Sequence, residues 1–305
     1  MVTTEIDRLN EQFGCGQELI FREGPGGLTV AEIANVHATA TIALHGGHVL
    51  AYQPTGRKPV LWLSRCSSFE PGKAIRGGIP VCWPWFGAHP QDSAKPSHGF
   101  ARLRAWEVTR ACSADDGATE IDLQLADSDV TRALWSYAFG LKLRVRIGPE
   151  LRVELVAQNS DTSDVRCTAA LHSYFSVGDI AEIAIHGLDG CDYIDTLPRP
   201  PAHCTQAGAV RFAGETDYVY QRTSADCIID DPVLGRRIRI RKRGSRSTVV
   251  WNPWAAKAER MPDFGDDEYP GMVCVETANV REDAVTIAPG GEHVLATEIS
   301  VEGDQ

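Results

Sequence analysis

The stretch Leu141-Lys142-Leu143-Arg144-Val145-Arg146-Ile147, Gly148-Pro149-Glu150, Leu151-Arg152-Val153-Glu154-Leu155 most limits what this chain can become. Both arms alternate apolar and charged residues with a period of two, and a Gly-Pro turn joins them. That is the pattern of an antiparallel hairpin with one buried and one wet face. The same short, period-two signal recurs along the chain. Thr119–Leu125 alternates cleanly. Leu28–Ile33, Ala38–Leu44, His48–Tyr52, Val60–Leu63, Val165–Phe175, Ile180–Ile185, Val210–Phe212, Tyr218–Gln221, Cys227–Ile229, Thr248–Trp251, Met272–Glu276, Ala284–Ile287 and His293–Val301 are further strand candidates. Helical signal is confined to residues 3–14, with Thr3 or Thr4 as cap, and to a turn or two within Asp127–Trp135. No linker or repeat divides the chain. The expectation is all-β: one large antiparallel β-sandwich.

Length is compatible with that reading, because a β-sandwich can hold 305 residues in a single unit. A net charge of −11 argues against a nucleic-acid partner or an anionic membrane surface, either of which wants a basic face. No run approaches the roughly 18 apolar residues of a membrane span, and the first residues carry no apolar signal core. The expected location is the cytoplasm. Nine cysteines are scattered without Cys-x-x-Cys spacing, so in a reducing compartment they read as small hydrophobes rather than as a zinc motif.

One segment resists assignment to strand or helix: Ile75-Arg76-Gly77-Gly78-Ile79-Pro80-Val81-Cys82-Trp83-Pro84-Trp85-Phe86-Gly87, followed by His98-Gly99-Phe100-Ala101-Arg102. Its glycines and prolines predict an irregular loop, roughly 65–104, long enough to be functional. Its aromatics fit either a pocket wall or core packing, and both readings stay open on residues alone. His98, in a polar context, reads as reachable by solvent. His172 lies in an apolar, aromatic run and needs a partner if buried, in a site or simply in the core. Glu276 ends the apolar run Met272–Val275. A carboxylate there can serve as a base with a raised pKa, or merely punctuate a strand end. Trp251-Asn252-Pro253-Trp254 offers flat faces to a sugar or to the core. His45-Gly46-Gly47-His48 lacks a nearby third ligand and reads as a turn. Arg236–Arg243 alternates basic and apolar residues, as an anion-binding face or as a charged edge strand that resists edge-to-edge pairing; the second reading is preferred. Gly-x-Gly-x-x-Gly, Walker and Gly-x-Ser-x-Gly signatures are absent from the sequence, which weakens dinucleotide, P-loop and α/β-hydrolase readings.

Taken in order, Arg76-Gly77-Gly78-Ile79-Pro80, His98-Gly99-Phe100-Ala101-Arg102, Leu171-His172-Ser173-Tyr174-Phe175, Glu215–Tyr220, Val250–Trp254 and Cys274-Val275-Glu276 resemble the glucose-6-phosphate 1-epimerases, or hexose-6-phosphate mutarotases, of the aldose 1-epimerase superfamily. The resemblance spans about residues 18–302, leaving 1–17 as an N-terminal extension, possible site of the short helix. It implies a galactose-mutarotase-like sandwich and interconversion of the anomers of hexose 6-phosphates. By resemblance His172 and Glu276 are catalytic. Arg76, Arg102, His98, Asp217 and Trp251 are substrate-binding, with the two arginines gripping phosphate. Neither cofactor nor metal is implied; the partner is a small sugar phosphate, and the protein is expected to act as a monomer. Ser97 stands where some relatives have glutamine, and Thr277 where some have proline. Two other functions remain open: an aldose 1-epimerase for unphosphorylated sugars, and a non-catalytic carbohydrate-binding protein.

Overall fold

The computed structural model describes residues 4–303. Two eight-stranded sheets make up most of it. One runs in the order Ala184–His186, Cys227–Asp231, Arg236–Arg243, Glu292–Glu302, Leu151–Asn159, Phe139–Ile147, Thr119–Ala126, Glu107–Ser113. The other runs Ala202–Thr205, Asp192–Asp195, Thr216–Tyr220, Ser247–Asn252, Met272–Asn279, Ala169–Leu171, Val81–Cys82, with Tyr174–Ser176 also paired to Met272–Asn279. Every pairing between named strands is antiparallel, as the alternating patterns require. Inner faces of both sheets contribute to a shared apolar core, including Leu143, Leu155, Ile240, Val250, Phe175 and Val275. A four-stranded sheet, Leu19–Glu23 to His48–Pro54, adds Phe21, Ile33 and Ile42 to that core. The expected all-β, antiparallel sandwich is what the chain adopts.

The short N-terminal helix is Glu5–Phe13, capped by a reciprocal Thr4–Asp7 box. Thr3, the alternative cap, lies outside the described residues. Asn10 fastens the helix to the first strand through both the N–H and the C=O of Phe21, each at 2.8 Å. The second helical prediction corresponds to Asp129–Leu134. No helix among the described residues is long and apolar enough to cross a membrane.

Several expectations need correction. Val60–Leu63 makes isolated bridges rather than a regular strand: Leu61 bridges Phe175, in a strand of three residues, and Leu63 bridges Gly77, in the irregular loop. Val165–Phe175 breaks into three short strands. Ile180–Ile183 forms a turn, and only Ala184–His186 pairs. Arg236–Arg243 is an interior strand, between Cys227–Asp231 and Glu292–Glu302. Its arginines do not guard an edge. They form a ladder of cross-strand ion pairs: Arg237 with Asp230, Arg239 with Glu302, Arg241 with Glu150 and Glu298, and Arg243 with Glu154. Ile238 and Ile240 on the other face enter the core. Leu19–Glu23, Asp192–Asp195 and Ala202–Thr205 were not expected as strands.

Candidate active site

The central strands of the second sheet set residues side by side. Asp217 is opposite Trp251, Trp251 opposite Cys274, and Cys274 opposite Tyr174. One row further, Val219 is opposite Val249 and Val249 opposite Glu276. Side chains two apart share a face, so all of these point to the same side of the sheet. The alternate residues Val250, Val273 and Val275 go into the core. Glu276 is therefore mid-strand within Met272–Asn279, not at its end, and His172 occupies the gap between Ala169–Leu171 and Tyr174–Ser176. That gap is held open by the irregular loop: the His172 N–H donates to Pro80 O at 3.1 Å.

This face floors a cavity of about 770 Å³. His172, Glu276, Arg76, His98, Asp217 and Trp251 all line it. His172 Nε2 is 3.3 Å from Glu276 Oε1, and the glutamate side chain is 1% exposed. His172 Nδ1 and Glu276 Oε2 are buried with no hydrogen-bond partner. Burial pushes the imidazole well below its ordinary pKa, and the charges of Arg102 and Arg76 push the same way. Burial likewise lifts the Glu276 carboxyl well above its ordinary value, reinforced by the Asp217 charge. Both shifts disfavour an ion pair. The neutral pair and the ion pair differ only in which partner carries the proton.

Neighbours orient the pair. Tyr174 stacks on His172 with ring centroids 4.8 Å apart and planes at 10°. The Tyr174 hydroxyl accepts from Arg76 Nη1 at 2.9 Å, and Arg76 is fixed in turn by Asp263, with Nη2 at 3.0 Å and Nε at 3.2 Å from Oδ2. Burial works against the Arg76 charge, but Tyr174 and Asp263 more than restore it. His98 faces His172 at 5.6 Å, and its Nδ1 accepts from Gly87 N–H at 3.4 Å, which leaves Nε2–H as the free donor. His98 is neutral, its pKa lowered to about 3 by burial, Arg102 and Arg76. Burial raises the Asp217 carboxyl despite a hydrogen bond from Thr196 and the charges of Lys257 and Arg281.

Arg102 is placed differently. It is absent from the cavity lining; its Nη2 donates to Ser97 O at 2.9 Å, and its Nε is buried without a partner. Its charge still reaches His98, His172 and Glu276. The loop's aromatics divide between the two readings. Trp83 packs on Phe100, Trp135 and Phe139 in the core and Trp85 packs on Phe100, whereas Phe86 lines the cavity. Of the second cluster, Trp251 lines the cavity and carries Lys257 Nζ 5.7 Å from its ring centroid; Trp254 packs on Tyr269 instead. His45 and His48 bind no common ligand. Their Nε2 atoms bond Lys73 O and Gly77 O, each at 2.7 Å, and so brace the base of the loop. Residue-level reading missed Tyr174 and Asp263 as supports, and Thr196, Arg199 and Arg281 as cavity residues. Tyr174 could have been found by counting two from His172; the others lie on turns and loops with no such periodic signal.

The fold and the sequence have close counterparts. A protein of Salmonella typhimurium named "Putative glucose-6-phosphate 1-epimerase" is 40% identical over 238 residues, covering 78% of this chain and 79% of the relative. One of the same name from Escherichia coli is 37% identical over 243 residues, 80% of each chain. The crystal structure of a "putative mutarotase" from Salmonella typhimurium superposes with a TM-score of 0.89 at 34% identity, covering 96% of both chains. The sequence pattern described as aldose 1-epimerase matches residues 29–300. With nearly the whole chain matched, and its histidine and glutamate paired on one sheet face, the protein belongs to the aldose 1-epimerase family of carbohydrate isomerases.

Proposed function

We propose that this epimerase interconverts the α and β anomers of hexose 6-phosphates, using His172 as acid and Glu276 as base. The carrying observation is the buried His172–Glu276 pair, 3.3 Å apart, on the floor of a cavity large enough for a sugar phosphate. Glu276 takes the proton of the anomeric hydroxyl while His172 protonates the ring oxygen. The bond between C1 and the ring oxygen breaks, giving an open-chain aldehyde. Rotation about C1–C2 presents the other carbonyl face, and reclosure reverses both proton transfers. One proton leaves the sugar and one enters it at each step, so the single proton held by the pair is sufficient. Each positioned group accounts for about 10²–10⁴-fold in rate. Neither step calls for a redox change.

The choice of a phosphorylated substrate rests on the names of the relatives and on where positive charge lies. C6 is attached to C5, the neighbour of the ring oxygen, so a 6-phosphate sits on the His172 side of the sugar. Arg76 and Arg102 are the arginines whose charges act at His172. Arg76, braced by Asp263 and Tyr174, presents a preset guanidinium to the phosphate. Arg102 contributes its field from behind the lining. Asp217 and Trp251 face the sugar ring, as hydroxyl acceptor and apolar platform.

Exchange spectroscopy by NMR on glucose and on glucose 6-phosphate tests the reading. Faster anomer exchange of the phosphate ester only, lost in His172→Ala and cut to a residual rate about 10²–10⁴-fold lower in Glu276→Gln, is expected. Equal acceleration of both sugars would transfer the assignment to an epimerase of free sugars. Binding without exchange would make the chain a carbohydrate-binding protein.

A further inference from the structure

Cys274 lies two residues before Glu276, on the same face of the same strand, in register with Tyr174 and Trp251. The epimerase chemistry does not use it. Yet one ligand-capable atom from each of His172, Cys274 and Glu276 lies within 4.8 Å of the other two, and all three residues are buried. Zinc bonds of about 2.0–2.3 Å set the edges of a tetrahedral site at about 3.3–3.8 Å. The His172–Glu276 separation of 3.3 Å already matches one edge. The thiol, whose edges to nitrogen and oxygen would be about 3.5 Å, has to close by at most about 1.3 Å to complete the face. A second observation points the same way: Glu276 Oε2 is buried and has no hydrogen-bond partner. His172 and Glu276 line the cavity, so the fourth ligand, water or a sugar hydroxyl, would come from that side, while Cys274 lies just beneath the lining.

We propose that His172, Cys274 and Glu276 form a binding site for a borderline-soft divalent cation of the zinc class, which silences the epimerase by occupying its acid–base pair. A thiolate and a carboxylate cancel the charge of the dication, and the Asp217 carboxylate, which acts on both Cys274 and Glu276, adds to the attraction. Arg76 and Arg102 oppose it, which limits the site to cations that gain strongly from sulfur. Binding releases the thiol proton and any proton on Glu276 to solvent, and no oxidation takes place. Magnesium, with its demand for oxygen ligands and octahedral geometry, is excluded. This inference adds a metal-dependent off state to the enzyme and does not depend on which sugar it takes.

The test begins with Co²⁺ as a spectroscopic probe of the metal-free wild-type chain. One equivalent is expected to give a thiolate-to-cobalt charge-transfer band that disappears in Cys274→Ser and in Glu276→Gln. Zn²⁺ is expected to displace the cobalt and to stop anomer exchange, with recovery on adding EDTA and no effect of Mg²⁺. Measured against its own metal-free rate, Cys274→Ser needs at least about tenfold more zinc for equal inhibition, the scale on which metal affinity responds to a lost supporting group. Cys274→Ala, checked for folding by circular dichroism, repeats the comparison. A cobalt spectrum without the thiolate band, a band that survives in both Cys274 variants, or equal zinc inhibition of wild type and Cys274→Ser would overturn the proposal. The cobalt spectrum needs no sugar, so failure of the metal site is separable from failure of the substrate assignment.

Discussion

Tyr174 lies nearly flat against His172, 4.8 Å between ring centroids and 10° between planes, while its hydroxyl is held by Arg76 at 2.9 Å. One side chain thus couples the imidazole proposed as the acid to the cation proposed for the phosphate. Tyr174→Phe keeps the stack and frees Arg76, so KM for the sugar phosphate is expected to rise while kcat changes little. Tyr174→Leu removes the stack and lets the imidazole move; kcat is expected to fall by about 10²-fold, the cost of roughly 1 Å of misplacement. Steady-state kinetics of both variants would separate the two roles.

The Arg76–Asp263 pair predicts a difference between substrates. Arg76→Ala removes charge-assisted hydrogen bonds worth about 1.5–3 kcal/mol, or roughly 10- to 150-fold in kcat/KM for a hexose 6-phosphate. Exchange of the free hexose should change far less. Asp263→Asn, which keeps the shape and removes the countercharge, is expected to show the same selectivity to a smaller extent.

The proposed mechanism requires one proton on the His172–Glu276 pair, so activity is expected to follow a bell-shaped pH profile. At low pH a second proton enters the pair and the base is lost. At high pH the shared proton leaves and the acid is lost. Glu276→Gln cannot take up that second proton on a carboxylate, so its residual rate should lack the acid-side limb set by Glu276. The pH dependence of kcat/KM in wild type and variant measures this.

His48 makes stability itself depend on pH. It is buried and neutral, with its pKa lowered from 6.5 to about 3 mainly by burial. Between those values the unfolded chain binds a proton that the folded chain refuses, so stability falls as pH drops below about 6.5 and stops falling near 3. At pH near 4.5 the effect amounts to about 2–3 kcal/mol. His48→Gln, which can still donate to Gly77 O, is expected to lose less stability on acidification than wild type. Urea unfolding at neutral and at acid pH gives the comparison, and the difference between the two proteins cancels the carboxylates they share.

Gly78 has φ 59°, and a Cβ there would sit 2.2 Å from Val49 O and 2.9 Å from His48 Nε2. Gly78→Ala therefore combines a left-handed backbone with a clash against main chain, and a loss of at least about 1–3 kcal/mol is expected. Thermal unfolding would register it, and Arg76, two residues away, should lose its alignment even in the folded fraction.

How much of this could be read beforehand depended on periodicity. Strands with a wet face and a core face, such as Phe139–Ile147 and Leu151–Asn159, announced themselves by alternation. Asp192–Asp195 and Ala202–Thr205 lie at the outer end of their sheet with partly exposed side chains on both faces, and so leave no such trace. Arg236–Arg243 was read correctly as a strand but assigned to an edge, since alternation reveals a wet face and not the number of neighbours. At the site, His172 and Glu276 stood out as ionisable residues in apolar runs, whereas Asp263 is a loop carboxylate whose importance exists only through Arg76.

The Arg76–Asp263 contact joins residues 187 positions apart, and the acid–base pair bridges a break between two short strands and the middle of a third. No contiguous fragment shorter than residues 76–276, about two thirds of the chain, contains these groups together. Anomer exchange is thus a readout of the last cooperative step of assembly: a partly folded chain, however compact, has no lesser version of the site. Substitutions far from the cavity should then lower specific activity in proportion to the fraction of molecules fully folded, leaving KM unchanged, and refolding monitored by activity should lag refolding monitored by strand content.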